Sequence, residues 1–164
     1  CHRFLMRTKN TVEKGPGMTE CAVILAGGLG TRLRPLTFSI PKPLLPVGEK
    51  PILEIILDRL KGFGFHEFIL SVGYRAELIE TYFGDGARFD TKIHYLKEEK
   101  PTGTAGALHL LHQGFDIARD ETFLLMNGDV LTDLDVTGLI AAHRRTTAMG
   151  NMARSPSSIS FWTR

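Results

Sequence analysis

The 164-residue sequence predicts an α/β fold, with a mostly parallel sheet that is flanked by helices. Short apolar runs alternate with longer amphipathic segments four times, which is the pattern of parallel strands joined by crossover helices. The first apolar run leads into a glycine-rich loop, and the fourth leads into an Asn-Gly-Asp turn. Parallel sheets bind ligands just beyond the carboxyl ends of their strands, so these two turns are where we expect a functional site.

Four segments have the composition of strands. The first, residues 21–26, is continuously apolar and ends at Gly27, as expected of a strand that is buried on both faces. The other three strands are predicted at 67–72, 92–97 and 122–126.

Four further segments have the helical period. Pro51 suits the first position of one helix, and Gly62 suits the position after its end. Thr104 and Asp135 are each expected to act as the N-cap of a later helix. The four helices are predicted to span 51–61, 76–83, 104–113 and 135–145.

The domain organisation follows from where this alternation begins and ends. Residues 1–19 show no period and are interpreted as a tail or linker, whereas residues 20–145 form one folded domain. Residues 146–164 are small, polar and aperiodic, which predicts a divergent, disordered tail. A short strand from Ile159 to Trp162 is the alternative for that segment.

Composition excludes several classes of protein. Residues 21–145 contain 14 Lys and Arg residues against 16 Asp and Glu residues, so a basic nucleic-acid-binding face is not expected. No apolar run approaches the ~20 residues that span a bilayer. The two cysteines form no disulfide framework, which favours a cytoplasmic protein.

The loop Gly27-Gly28-Leu29-Gly30 has the features of a phosphate-binding loop. Glycines let backbone N–H groups approach an anion, and Arg32, Arg34 and Lys42 supply positive charge nearby. Two common motifs are excluded, because Leu33 stands where a dinucleotide fingerprint needs glycine and the Gly-Lys-Ser/Thr ending of a P-loop is absent.

Four motifs in order resemble the signature of the sugar-1-phosphate nucleotidyltransferases. They are 27–33, Pro41-Lys42-Pro43-Leu44-Leu45-Pro46-Val47, 101–108 and Met126-Asn127-Gly128-Asp129. The resemblance runs from about residue 20 to about residue 145 and implies a Rossmann-like fold of the nucleotide-diphospho-sugar transferase type. It also implies that the chain matches only the N-terminal, nucleotide-binding part of a family whose second half binds the sugar.

The same resemblance implies a reaction and its partners. These enzymes join a nucleoside triphosphate to a sugar 1-phosphate and release pyrophosphate. The Gly-Thr-Ala-Gly text at 103–106 is most similar to mannose-1-phosphate and heptose-1-phosphate guanylyltransferases, which favours GTP. Neither a nucleic acid nor a membrane is expected as a partner.

The resemblance also implies a role for each site residue. Arg32 is expected to stabilise the departing pyrophosphate, Lys42 to bridge the α-phosphate and the sugar phosphate, and Asp129 to bind Mg2+. The attacking phosphate oxygen is already ionised, so no general base is required. The implied nucleotide-binding residues are Leu25, Ala26, Gly27, Gly28, Gly30, Thr31, Gly103 and Thr104.

Several alternatives stay open. Glu98 or Glu99 could bind the hydrogen-bonding edge of the nucleotide base, and the alternative is that each is a solvated surface acid. His109 and His112 have a metal-binding spacing, but no further ligands accompany them. Because the second half of the family is not matched, a nucleotide-binding or regulatory module with little catalysis is the alternative to an enzyme. A cytidylyltransferase that acts on a phosphorylated alcohol is a further alternative. A sheet that lacks a strand would expose an apolar edge and favour homo-oligomers.

Overall fold

The structure is a computed structural model that describes residues 21–98, 103–114, 123–145, 150–152 and 159–162. The tail predicted over residues 1–19 lies outside these ranges. In chain order, the elements are β1 Cys21–Leu25, β2 Pro46–Val47, β3 Lys50–Pro51, α1 Ile52–Gly62, β4 Glu67–Val72, α2 Ala76–Phe83, β5 Lys92–Lys97, α3 Gly103–Gly114, β6 Phe123–Asn127, α4 Val136–Arg144, β7 Gly150–Met152 and β8 Ile159–Trp162.

The main sheet has the strand order β5-β4-β1-β6-β8-β7. β1 pairs in parallel with β4 on one side and with β6 on the other, and β4 pairs in parallel with β5. The chain therefore leaves β1 in one direction along the sheet and later returns to its opposite side. Such a reversal of strand order opens a crevice at the carboxyl end of the central strand, which is where open α/β sheets bind ligands.

The core lies on both faces of β1. Ala22 and Ile24 belong to the larger cluster, which α1, α2 and α4 cover, whereas Val23 faces a smaller cluster that includes Leu111 of α3. These β1 side chains are at most 1% exposed. Burying each of the larger side chains, Val23 and Ile24, stabilises the fold by about 2 kcal/mol. Burial on both faces is the reason that the β1 sequence is continuously apolar rather than alternating.

Most predicted elements are confirmed, and the differences lie at their ends. The segments at 67–72, 76–83 and 92–97 have the predicted bounds. α1 begins at Ile52 rather than at Pro51, because Pro51 is extended and pairs with Pro46 in the small antiparallel β2–β3 ribbon. Asp135 is the N-cap of α4, as predicted, and its carboxylate accepts a hydrogen bond from the Gly138 backbone at 3.0 Å.

The predicted start of α3 is one residue too late, and its predicted N-cap is wrong. The helix begins at Gly103, so Thr104 lies within its first turn and does not precede it as a cap. Propensity alone disfavours glycine in a helix, but the first residues of a helix carry N–H groups that need no partner inside the helix.

The prediction of disorder over 146–164 is wrong for two segments, and the alternative of a strand from Ile159 to Trp162 is confirmed as β8. β8 runs antiparallel to β6, with Ser160 opposite Leu125, and β7 pairs with the outer side of β8. Backbone hydrogen bonds along β6 drive this pairing and require no hydrophobic period in the added strand. The β6 edge that was expected to favour homo-oligomers is therefore covered. Within the described ranges, no helix has the length and apolar character needed to cross a membrane.

Candidate functional site

The loops that follow β1, β4 and β6 are tied together at the carboxyl edge of the sheet. The Ala26 backbone N–H donates to the Ser71 carbonyl at 2.7 Å, and the Gly128 N–H donates to the Leu25 carbonyl at 2.8 Å. These two bonds extend the strand ladders past the ends of the strands. The glycine loop is therefore held between the loop after β4 and the Asn-Gly-Asp turn.

Gly27 is packed where the loops after β1 and β4 touch. A Cβ on Gly27 would lie 3.3 Å from the Gly73 nitrogen and 3.4 Å from Oε1 of Glu98. A side chain there would be in tight contact with both, so the close approach of the two loops favours glycine. Gly28 has open space at the same position, with no heavy atom within 4 Å of a built Cβ.

Gly30 is required for a different reason. Its φ is 58°, in the left-handed region, and a Cβ would lie 2.8 Å from Cγ2 of Thr37. The buried Thr37 hydroxyl donates to the Gly30 carbonyl at 2.8 Å and closes the loop on itself. Thr37 was not predicted as part of the site, although its position at the end of the run Arg34-Pro35-Leu36-Thr37 was the available signal.

The two arginines of the loop are placed differently. Thr31 and Arg32 are exposed in a single helical turn, and the Arg32 guanidinium has no hydrogen bond or ion pair to any described residue. The Arg34 guanidinium instead lies 5.0 Å from the centre of the Phe38 ring. Arg32 is therefore the loop arginine whose guanidinium has no partner among the described residues.

Lys42 and Asp129 meet although they are 87 residues apart in the sequence. Lys42 Nζ donates to Oδ2 of Asp129 at 2.5 Å, and the two side chains are 30% and 34% exposed. The Lys42 Cβ also lies 3.3 Å from where a Gly30 Cβ would be. The structure therefore brings Lys42, Asp129 and the glycine loop together.

Asp129 owes its position to Gly128. A Cβ on Gly128 would lie 3.1 Å from Cγ2 of Ile24 and 3.1 Å from the Leu25 carbonyl oxygen, so the turn lies directly on the end of β1. The carboxylate that follows is thus placed at the crevice and is only partly buried.

Glu98 belongs to the same crevice. Its carboxylate accepts a hydrogen bond from the hydroxyl of Ser71, which is fully buried near the end of β4, and its Oε1 lies beside Gly27. The reading of Glu98 as a solvated surface acid is therefore excluded, whereas Glu99 lies outside the described residues. Ser71 was missed in the sequence, although a serine inside the apolar run at 67–72 was its signal.

For two further predicted site residues, the structure describes only the position of the backbone. Gly103 and Thr104 lie in the first turn of α3, which follows β5, and the side chain of Thr104 is outside the described part of the chain. Across the described parts of the chain, no three His, Cys, Asp or Glu side chains are grouped to hold a metal ion. His109 is exposed and belongs to no such group.

Comparison with known proteins agrees with this geometry. A family model described as nucleotidyl transferase matches residues 21–158, and so extends past residue 145, where the sequence resemblance was expected to end. The chain is 41% identical over 140 residues to a UTP–glucose-1-phosphate uridylyltransferase of Synechocystis, covering 80% of this chain and 36% of that protein. It is 41% identical over 127 residues to a mannose-1-phosphate guanylyltransferase of Mycobacterium tuberculosis, with coverages of 77% and 34%.

A third relative is a D-glycero-alpha-D-manno-heptose 1-phosphate guanylyltransferase of Campylobacter jejuni, which is 42% identical over 118 residues, with coverages of 72% and 51%. The chain thus spans between about a third and a half of the length of these relatives.

Solved structures show the same fold. HddC from Yersinia pseudotuberculosis complexed with GMP-PN superimposes with a TM-score of 0.69 at 30% identity, covering 81% of this chain and 57% of that one. A putative glucose-1-phosphate thymidylyltransferase from Bacillus anthracis gives a TM-score of 0.74 at 21% identity, with coverages of 87% and 71%. On the extent of the family match and these likenesses, the chain belongs to the nucleotidyl transferase family.

Proposed function

We propose that this chain is the nucleotide-binding part of an enzyme that transfers a nucleotidyl group from a nucleoside triphosphate to a sugar 1-phosphate. The observation that carries the proposal is the contact of Lys42 with Asp129 beside the glycine loop, at the reversal point of the sheet. The relatives named above act on sugar 1-phosphates, which supports this class of acceptor.

The proposed reaction needs positioning and charge more than proton transfer. An oxygen of the sugar phosphate attacks the α-phosphorus, and the bond from that phosphorus to the pyrophosphate oxygen breaks. Arg32 is exposed beside the glycine loop, where its guanidinium can neutralise the pyrophosphate as it leaves. Lys42 supplies a second cation where the two phosphates meet, and the backbone of Gly28 offers an N–H without a side chain in the way.

Asp129 fits the role of a magnesium ligand. Mg2+ is bound through one or two carboxylates together with substrate phosphates and water, so a complete cage of protein ligands is not required. Asp129 offers hard oxygen donors at the crevice, and its side chain is 34% exposed. Mg2+ would supply charge neutralisation on the phosphates, and Asp129 would fix its place relative to β1.

Glu98 supports guanine as the base. The Watson–Crick edge of guanine presents two adjacent N–H donors, which match the acceptor oxygens of a carboxylate. Uracil and thymine instead place one donor between two carbonyl acceptors, which a carboxylate would repel. Ser71 orients the Glu98 carboxylate beside Gly27, which is one of the nucleotide-binding residues that the resemblance implies.

The base assignment is tested with a panel of GTP, UTP, dTTP, CTP and ATP, each with Mg2+. GTP is expected to give the largest increase in Tm, and Glu98→Gln is expected to remove that preference because one acceptor becomes a donor. Glu77→Gln, on the exposed side of α2, is the matched control and should leave the order of nucleotides unchanged. Equal stabilisation by UTP or dTTP would refute guanine, and the absence of stabilisation by every nucleotide would refute nucleotide binding.

The transfer reaction is tested by pyrophosphate release with a panel of sugar 1-phosphates. Arg32→Ala is expected to slow release by about 10²-fold, as when a donor to a developing charge is lost. Arg34→Ala is the control, since that guanidinium lies on Phe38, and it should change the rate little. Tight GTP binding without pyrophosphate release would instead indicate a nucleotide-binding or regulatory module.

A further inference from the structure

The Lys42–Asp129 pair differs from an ordinary surface ion pair in how its two ends are held. Lys42 lies between the buried Pro41 and Pro43, and Asp129 follows Gly128, whose N–H is bonded to the end of β1. Prolines on both sides reduce the backbone freedom of the Lys42 segment. Both charges are therefore presented to each other by anchored backbones, and the contact is built into the site.

This contact has a consequence for metal binding. The Lys42 ammonium lies 2.5 Å from an oxygen of the carboxylate that is proposed to bind Mg2+. A divalent cation that approaches the apo site would face this ammonium a few ångströms away and would have to displace it. Like charges at that separation oppose binding, and Asp129 already has its charge compensated.

We propose that Lys42 blocks the metal-binding carboxylate of Asp129 until a polyphosphate arrives and draws Lys42 away. The inference rests on the proposed function, because it takes Asp129 as the metal ligand. In the apo chain Asp129 is paired with Lys42. When the triphosphate lies along the glycine loop, Lys42 turns to phosphate oxygens and Asp129 is left to bind a cation. The chain therefore takes its divalent ion together with the nucleotide and binds the free ion weakly.

The exchange also couples the two ligands in both directions. Binding of the triphosphate raises the affinity of Asp129 for a cation, so the cation must raise the affinity for the triphosphate by the same factor. Part of this coupling comes from direct contact of metal and phosphate. A substitution of Lys42 would remove only the contribution that Lys42 makes to this coupling.

The test measures Mn2+ binding to the nucleotide-free chain by electron paramagnetic resonance. Lys42→Met keeps the length of the side chain and removes its charge, and it should bind Mn2+ about tenfold more tightly than the wild type, as expected from losing one charge-assisted hydrogen bond. Lys50→Met is the matched control, because the exposed Lys50 of β3 also pairs with a carboxylate, that of Asp58 in α1, at 2.7 Å. It should bind Mn2+ like the wild type. Adding Asp129→Asn to Lys42→Met should abolish the gain.

An equal Mn2+ affinity of Lys42→Met and the wild type would overturn the inference, as would an equal gain in Lys50→Met. A second measurement does not need the Lys42 variant to fold. Asp129→Asn should raise the rate at which Lys42 is acylated in the apo chain, with no change at Lys50, and an unchanged Lys42 rate would also overturn the inference. The proposed function is judged separately, by whether GTP with Mg2+ raises the Tm of the wild type.

Discussion

At the scale of single residues, two glycines of the loop after β1 have separate tasks. Gly30 has a φ of 58° and lies against Thr37, so the folded loop itself requires it. Gly28 has open space around it and no left-handed φ, so folding does not explain its lack of a side chain. We expect instead that a ligand approaches its backbone, which a side chain there would hinder.

This difference predicts opposite behaviour of two alanine substitutions. Gly30→Ala should lower the free energy of unfolding by about 1–2 kcal/mol, because a Cβ there is strained and clashes with Thr37. Gly28→Ala should leave that free energy within about 0.5 kcal/mol and weaken GTP binding instead. Urea denaturation and GTP titration of both variants check this. A Gly28→Ala variant that binds GTP like the wild type would contradict close contact of that backbone with the nucleotide.

At the scale of elements, local signals determined most boundaries. Asp135 precedes α4 and caps it, as its residue type and position predict, and β4, α2 and β5 have the predicted bounds. The starts of α1 and α3 were misplaced for different reasons. The α3 error concerns the first turn of the helix, where backbone N–H groups need no partner inside the helix. The α1 error has a non-local cause. Pro51 is drawn into a strand pair with Pro46, which no helical period reveals.

The α4 cap gives a prediction at this scale. Asp135→Ala should lower the free energy of unfolding by about 1 kcal/mol, because the Gly138 N–H loses its acceptor. Asp133→Ala removes an exposed carboxylate two residues earlier and should change stability by less than about 0.5 kcal/mol. Thermal or urea unfolding separates the two. Equal losses in both variants would show that charge, and not the cap, is responsible.

At the scale of the whole molecule, β8 completes the sheet. It lies between β6 and β7 and covers an edge that would otherwise present unpaired backbone groups next to a buried strand. Unpaired edges of this kind favour association between copies of a chain. We therefore expect the short antiparallel segment to keep the β6 edge from pairing with a second molecule.

A proline in the middle of β8 should weaken its pairing with β6 and β7 and expose the β6 edge. Ser160→Pro removes a backbone N–H from the strand that pairs with both β6 and β7, so it should destabilise β8 and promote self-association. Ser160→Ala keeps the N–H and serves as the control. Sedimentation velocity should show larger species for the proline variant only, and a monodisperse proline variant would contradict the role of β8.

The sequence by itself determined the four parallel strands, their connecting helices, and the identity of the charged residues at the strand ends. These features are encoded locally, by the spacing of apolar residues, by the positions of glycine and proline, and by helix-capping residues. Only the tertiary structure decided that Lys42 meets Asp129 across 87 residues, that Ser71 orients Glu98 beside Gly27, and that β8 pairs with β6. Such contacts join segments that share no pattern with each other. They arise because parallel strands bring their carboxyl ends to one edge, and because backbone pairing does not depend on side-chain period.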